Sequence, residues 1–242
     1  MIKLIETNQL PSVNFTDGFS VTKIRANLSA YGCGFSFLNS WYQQNEQGEI
    51  TAIIQKMETN LLMVATPNAD FKEIKDFILV IGFSSIGATP EILTRLGFKF
   101  KEYQVLEFKG KGKEELPPYP NIKEVYCLLY GEKNQSIRPT DFEGFYADLS
   151  HKIRKGIAAA ITLDDAVCVA SHITESTAVI SGVVVQKRSQ NCGLGSKLLN
   201  QMRGALGWRK IFVATEEDVV TFYIKNGFSK AYKIAIYETE EN

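Results

Sequence analysis

The sequence predicts an α/β (α+β) chain built as two tandem units, each with a mixed sheet. Three observations carry this. Short β-branched runs alternate with segments whose apolar residues recur at helical spacing. A stretch rich in glycine, proline and charge, Lys109 to Pro120, divides the 242 residues near the middle. A weak repeat links the two sides: Leu93-Thr94-Arg95-Leu96-Gly97-Phe98 precedes Tyr223-Ile224-Lys225-Asn226-Gly227-Phe228 by 130 residues, Gly97 to Gly227.

In the first half, Met1 to about Asn27 reads as short strand-like pieces around Pro11, Asp17 and Gly18. The aromatic-rich run Cys33 to Gln44 reads as a strand, Asn45-Glu46-Gln47-Gly48 as a turn, and residues 50–56 and 60–66 as two further strands. Asp70 or Asn68 caps a helix whose apolar face is Phe71, Ile74, Phe77 and Ile78. A short strand spans 83–86. Thr89 and Pro90 then open a second helix that ends at Gly97, and residues 98–108 alternate as a strand. The expected domains are 1–110 and 121–242, with 111–120 as linker.

In the second half, residues 122–130 read as a strand. Asp141 leads into a helix through Phe142, Phe145, Tyr146, Leu149 and Ile153. Strands follow at 157–163, 167–173 and 178–185. A polar turn with two glycines then leads to a helix carrying Leu194, Leu198, Met202 and Leu206 at helical spacing. The unit closes with a strand at 208–215, a helix at 219–226 and a strand at 228–237. The order is β-α-β-β-β-α-β-α-β.

Composition excludes several classes. Lys plus Arg and Asp plus Glu are both 27, so formal net charge is zero, which disfavours a dedicated nucleic-acid binder. No apolar run reaches membrane-spanning length, and the N-terminus lacks a charged-then-apolar leader, so the expectation is a cytoplasmic protein with no membrane partner. The four cysteines, Cys33, Cys127, Cys168 and Cys192, are scattered, three of them in apolar strand-like runs. With two histidines in all, no zinc spacing exists, and the expected thiols are free and buried, with no metal.

The chemistry concentrates at residues 183–199. A valine-rich strand passes through Gln190-Asn191-Cys192-Gly193-Leu194-Gly195-Ser196 into a helix. Uncapped N–H groups and the positive end of the helix dipole make such a start an anion site, and Lys187 and Arg188 add charge. The third glycine of a dinucleotide fingerprint is absent. Gln190-x-x-Gly193-x-Gly195 resembles the acyl-CoA pyrophosphate loop of the GNAT (Gcn5-related) N-acetyltransferase superfamily. Phe222-Tyr223 before Gly227-Phe228, 28 residues after Gly195, is similar to that superfamily's late helix and turn. The element order of the second half is that of a GNAT domain. The first half looks like a degenerate GNAT-like unit: its loop, Thr66-Pro67-Asn68-Ala69-Asp70, has no glycine and carries a carboxylate, and Leu93 stands at the Tyr223 position.

The resemblance implies acyl transfer, usually acetyl, from coenzyme A to a primary amine by direct attack in a ternary complex. It implies that Val183 and Val185 lie along the acyl and pantetheine arm, and that Gln190, Asn191, Cys192, Gly193, Leu194, Gly195 and Ser196 surround the pyrophosphate. Tyr223 is then the general acid for the leaving thiolate; a core aromatic would satisfy the same spacing. Glu175 is the candidate base, with His172 or a water chain as alternatives. Tyr146, Asp148 and His151 fall where the family forms a wall of the acceptor site; a solvated helix face is the plain alternative. One departure is Glu216, seven residues before Tyr223, where the family often has asparagine; with Glu217 and Asp218 it makes an acidic run that suits a helix start or a cationic acceptor. The expected partner is a small-molecule or peptide amine, and the expected state a monomer with pseudo-dimeric halves or a homodimer. A non-catalytic acyl-CoA sensor or scaffold is the rival reading. Transfer from a charged tRNA is disfavoured by the neutral charge and the intact loop.

Overall fold

The computed structural model describes residues 1–6, 15, 18–33, 35–131 and 141–239. The chain forms two compact units. The first is Met1–Val105 with Ala214–Asp218 and Ala231–Asn242; the second is Leu106–Val213 with Val219–Lys230. The Val105–Leu106 division precedes the expected linker.

Unit 1 holds β1 (Ile2–Leu4), α1 (Phe19–Tyr31), β2 (Leu38–Gln44), β3 (Ile50–Met57), β4 (Asn60–Ala65), α2 (Phe71–Ile81), β5 (Ser85–Ala88) and α3 (Pro90–Leu96). β6 (Lys101–Lys109) and the final strand β11 (Ser229–Glu238) each contribute part of their length to it. β1, β2, β3 and β4 pair antiparallel in sequence, β4 pairs β5 parallel, and β11 pairs β5 antiparallel. Ile74 and Ile78 of α2 and Ile92, Leu93 and Leu96 of α3 close one core over Ile54, Met63 and Ile86.

Unit 2 contains α4 (Ile122–Tyr130), α5 (Phe142–Arg154), β7 (Ala159–Leu163), β8 (Ala166–Ile173), β9 (Thr177–Val185), α6 (Leu194–Leu206), β10 (Lys210–Thr215) and most of α7 (Glu217–Lys225). β7, β8 and β9 pair antiparallel, and β10 joins β9 parallel. The alternation of β8 builds two cores. Ala166, Cys168 and Ala170 face Leu198, Leu199, Met202 and Tyr223; Val167 and Val169 face Val125, Leu129 and Leu149 of α4 and α5. This puts α6 and α7 on one face of the sheet and α4 and α5 on the other.

Two expectations are corrected. Residues 122–130 are a helix, because Ile122, Val125 and Leu129 bury one helical face and Asn121 caps Glu124 N–H. Residues 19–31, read as strand-like pieces up to about Asn27, are also a helix; it buries Phe19, Val21, Thr22, Ile24, Ala26, Asn27, Leu28 and Ala30 nearly all round, so no amphipathic stripe shows in the sequence. The strand expected from Cys33 begins only at Leu38, after a turn where the rings of Tyr31, Phe35 and Phe37 meet at 5.0–5.7 Å.

Residues 110–116 run against unit 2. Gly110 N–H donates to Arg209 O (2.9 Å) and Glu115 N–H to Ala205 O (3.1 Å). The buried Arg209 binds Thr174 O at 2.6 Å and the Glu114 carboxylate at 2.8 Å. A Cβ on Gly110 would collide with the backbone of Gly207 and Arg209, so this approach requires glycine. Among the described residues no helix is long and apolar enough to cross a membrane.

Candidate active site

β9 and β10 pair only from Thr177–Val179 to Lys210–Phe212. Beyond Val179, β9 runs on to Val185 with β8 on one side and no strand on the other among the described residues. Parallel strands that part in this way leave backbone N–H and C=O groups free along the opening. Val183 and Val185 lie on this free stretch, their side chains against the α6 core. Val185 O accepts from Gln190 Nε2 at 3.1 Å.

The chain then makes a 3-10 turn at Lys187–Ser189 that is held from beneath. Arg188 Nε and Ser189 Oγ donate to Asp165 Oδ2 at 2.8 and 2.7 Å, and Gln186 N–H donates to Asp165 O. The Arg188 guanidinium and the Ser189 hydroxyl hold the Asp165 carboxyl down at about 2. Arg188 is thus engaged with Asp165, which leaves the backbone N–H groups as the loop's main groups suited to an anion.

Asn191 and Gly193 both take positive φ, 63° and 80°. Asparagine tolerates this conformation and glycine adopts it without strain. Gly193 is the N-cap of α6, with no side chain capping the helix start. Among the described residues no protein acceptor takes the N–H groups of Leu194, Gly195 or Ser196. A Cβ on Gly193 would meet nothing within 4 Å, so the cradle is open there. Gly195 does different work: its Cβ would stand 3.3 Å from Phe222 and 3.4 Å from Val185, so it lets α6 close against α7 and β9. Cys192 is exposed, its thiol 3.5 Å from Gln190 O.

The matching start in unit 1 is closed. The Asp70 side chain accepts from Lys72 and Glu73 N–H, both at 3.0 Å, and the Gln43 amide binds Asp70 N–H, Asp70 O and Glu73. The chain's own carboxylate occupies the place an anion would take.

Tyr223 is buried, its ring edge-on to Phe222 and Phe228. Burial, with the Cys168 thiol beside it, pushes the phenol well above its ordinary range. It therefore remains protonated, as a proton donor must. Cys168 pairs with Val183, so Tyr223 stands level with the free stretch of β9, on the α6 face.

Other sequence candidates fall elsewhere. Glu175 is exposed in the β8–β9 turn, eight residues before Val183, and β9 alone carries Val183 roughly 20 Å from its start at Thr177; the fold does not bring Glu175 to Tyr223. His172 pairs with Val179 and bonds Ser171 through Nδ1 at 2.7 Å. Tyr146, Asp148 and His151 lie on α5, on the opposite sheet face from Tyr223. Asp148 pairs with the buried Lys152 at 3.0 Å. Glu216 pairs with Lys101 at 2.6 Å, and Glu217 and Asp218 fill the first turn of α7. One residue was missed, Asp165, a turn residue with no motif around it; Phe222 was read only as part of the late-helix motif, and its contact with Gly195 explains that glycine. The expectation of buried thiols is met only at Cys168; Cys33 is half-buried, and Cys127 and Cys192 are exposed because each lies at a helix surface or loop rather than in a strand. Among the described residues no group of three His, Cys, Asp or Glu side chains is assembled that could hold a metal.

No protein-family model matches the sequence, and comparison with curated proteins gives no match. The structure does match solved ones. A GCN5-related N-acetyltransferase from Sphaerobacter thermophilus aligns at a TM-score of 0.60, with 11% identity over 90% of this chain and 84% of its own. One from Kribbella flavida aligns at 0.55, with 12% identity over 94% and 98%. A tandem GNAT protein from the clavulanic acid biosynthesis pathway aligns at 0.53, with 11% identity over 92% and 95%. These likenesses establish the fold, and the last extends to its tandem arrangement.

Proposed function

We propose that this tandem GNAT-fold chain is an acyl-CoA-dependent N-acetyltransferase with one working site, in unit 2. The observation that carries the reading is the contrast between two helix starts. α6 opens through left-handed Gly193 with its N–H groups uncapped, while α2 is sealed by Asp70. An uncapped start beside a strand with a free edge suits a ligand that is both anionic and extended. A pyrophosphate with an amide-bearing arm has that form.

Acetyl-CoA supplies an activated thioester. The residues fit it as follows. Backbone N–H groups of residues 191–196 take the pyrophosphate. The free edge at Val183 and Val185 takes the arm. The acceptor nitrogen attacks the thioester carbonyl and forms the C–N bond. The C–S bond breaks, and the Tyr223 hydroxyl protonates the sulfur. The attacking nitrogen releases its proton to solvent or to an acceptor-side base. Such proton donation contributes roughly 10²–10⁴-fold in related chemistry. The position of Glu175 does not favour it as the base.

Acetyl-CoA at millimolar concentration should raise the melting temperature, because it binds only the folded chain. Absence of any shift would sink the proposal. The rival, a non-catalytic acyl-CoA sensor, is supported by the deep burial of Tyr223; retained binding with no thiol release from any amine would favour it.

A further inference from the structure

We infer that Arg203 is a positioning residue for the proton transfer and acts through Tyr223; the inference rests on the acetyltransferase reading. Among the described residues no group is hydrogen-bonded to the Tyr223 hydroxyl. Its aim is therefore set by ring packing and by the backbone that carries it. An error of about 1 Å in such a group costs on the order of 10²-fold in rate. Both supports lead to Arg203.

The backbone route runs through the turn after α7. Tyr223 O accepts from Asn226 N–H at 3.0 Å and from Phe228 N–H at 3.1 Å. The Asn226 amide donates from Nδ2 to Phe222 O at 2.8 Å. Asn226 O in turn accepts from Arg203 Nη1 at 2.6 Å. This puts a cation at the C-terminal end of α7, where it also meets the negative end of the helix dipole. The same Nη1 donates to Asn200 Oδ1 at 3.0 Å, one turn back on α6. The ring route is a ladder. The guanidinium lies 3.6 Å over the Phe108 ring, Phe108 lies 5.4 Å from Phe228, and Phe228 lies 5.6 Å from Tyr223, edge-on. Arg203 is in the last turn of the helix whose first turn forms the cradle. One element thus carries both the anion site and the clamp on the proton donor.

Packing alone does not account for an arginine here. Its Nε is buried with no hydrogen-bond acceptor among the described residues, which costs stability. A methionine would cover Phe108 without that cost, but it could not bond Asn226 O. Unit 1 supplies the contrast. Its turn makes the same bond from Phe98 N–H to Leu93 O. Yet among the described residues no side chain bonds Leu96 O, which stands where Asn226 O stands in unit 2. Lys75 of α2 comes within 5.6 Å of the Phe98 ring and makes no bond to that carbonyl. The clamp is present where the turn carries a tyrosine and absent where it carries a leucine, which needs no aim.

The test compares Arg203→Met, which keeps bulk over Phe108, with Arg203→Lys, which keeps a donor for Asn226 O. Thiol release from acetyl-CoA is followed with tryptamine, spermidine, glucosamine and lysine, and the fastest amine is used throughout. Arg203→Met should lower kcat about tenfold to hundredfold, with KM for acetyl-CoA and the acetyl-CoA melting shift unchanged. Arg203→Lys should recover most of that loss, to within about threefold of wild type. In the Tyr223→Phe background Arg203→Met should change kcat by less than about twofold, because its effect passes through the missing hydroxyl. A second readout needs no ligand. With isotope-labelled tyrosine rings, the carbon resonance missing in Tyr223→Phe should shift or broaden in Arg203→Met and match wild type in Arg203→Lys. If Arg203→Met does not fold, Asn200→Ala, at an exposed position, releases the guanidinium from α6 and should show the same pattern at smaller size. Wild-type kcat in the variant, an unmoved Tyr223 resonance, or an equal loss of kcat in both backgrounds would overturn the inference and leave the acetyltransferase reading intact. Absence of thiol release from wild type with every one of the amines overturns both.

Discussion

Leu93 and Tyr223 occupy the same place in the same turn. Leu93 O accepts from Phe98 N–H at 3.0 Å, and Tyr223 O accepts from Phe228 N–H at 3.1 Å. Each turn passes through a glycine of positive φ, 76° at Gly97 and 85° at Gly227. The backbone device is repeated and only the side chain differs. A phenol that merely filled space could be leucine, as it is in unit 1. Tyr223→Phe keeps the ring and removes the hydroxyl. It should leave the acetyl-CoA melting shift unchanged and lower kcat about 10²–10³-fold. Full activity in that variant would remove Tyr223 from the mechanism.

The raised ionisation of Tyr223 fixes the sign of its pH dependence. Its folded pKa lies above the ordinary phenol value of about 10, so the folded state holds the proton more tightly than the unfolded chain. The stability this represents is present below about pH 10 and is lost as pH rises beyond it. Wild-type melting temperature should fall more steeply than that of Tyr223→Phe between about pH 10 and pH 11. Equal slopes would place the phenol in contact with solvent.

Much of this was legible in the sequence. The loop and the Gly-Phe turns were visible because glycine at a required positive φ leaves a local signature. The helices at 19–31 and 122–130 were not. The first is buried nearly all round, so no polar face sets its period; the second is short, and its unbroken apolar and aromatic run from Val125 to Tyr130 reads as a strand although only Ile122, Val125 and Leu129 are buried. Glu175 was placed by sequence proximity to β9, but a strand carries its two ends far apart. Asp165 went unnoticed because its partners, Arg188 and Ser189, are more than twenty residues away. Pairing across that distance has no local pattern.

The two loop glycines should separate by experiment. Gly193→Asp places a carboxylate in the open cradle and strains a positive φ, at about 1–3 kcal/mol. It should abolish the acetyl-CoA shift with a modest loss of stability. Gly195→Val should instead force α6 away from Phe222 and Val185, and lower the melting temperature with or without ligand. If Gly193→Asp bound acetyl-CoA normally, the anion would have to lie elsewhere.

Asp165 gives an acid-side prediction. Its folded pKa is lowered to about 2 from 3.8, so the stability it represents is present above about pH 4 and is lost as pH falls through 2. The carboxylate is at the surface, and its main effect is on the loop. Asp165→Asn should free Arg188 and loosen residues 187–189, seen as faster amide exchange at Ser189 and Gln190 at neutral pH. Unchanged exchange there would show that Gln186 alone holds the turn.

Asp70 offers the reciprocal test of a single working site. It caps α2 through two N–H groups, and Gln43 is bonded to the same turn. Asp70→Gly removes the carboxylate and should cost only a few tenths of a kcal/mol of stability through the lost cap. It should not create a second acetyl-CoA site. Pro67 still lacks an N–H, and Arg95 NH1 still binds Pro67 O at 2.6 Å, so the loop keeps its path. Calorimetric titration should give one acetyl-CoA per chain for both wild type and Asp70→Gly, and none for Gly193→Asp. Two per chain in wild type would mean that unit 1 binds in spite of its own cap. One per chain in Gly193→Asp would move the site out of unit 2's loop.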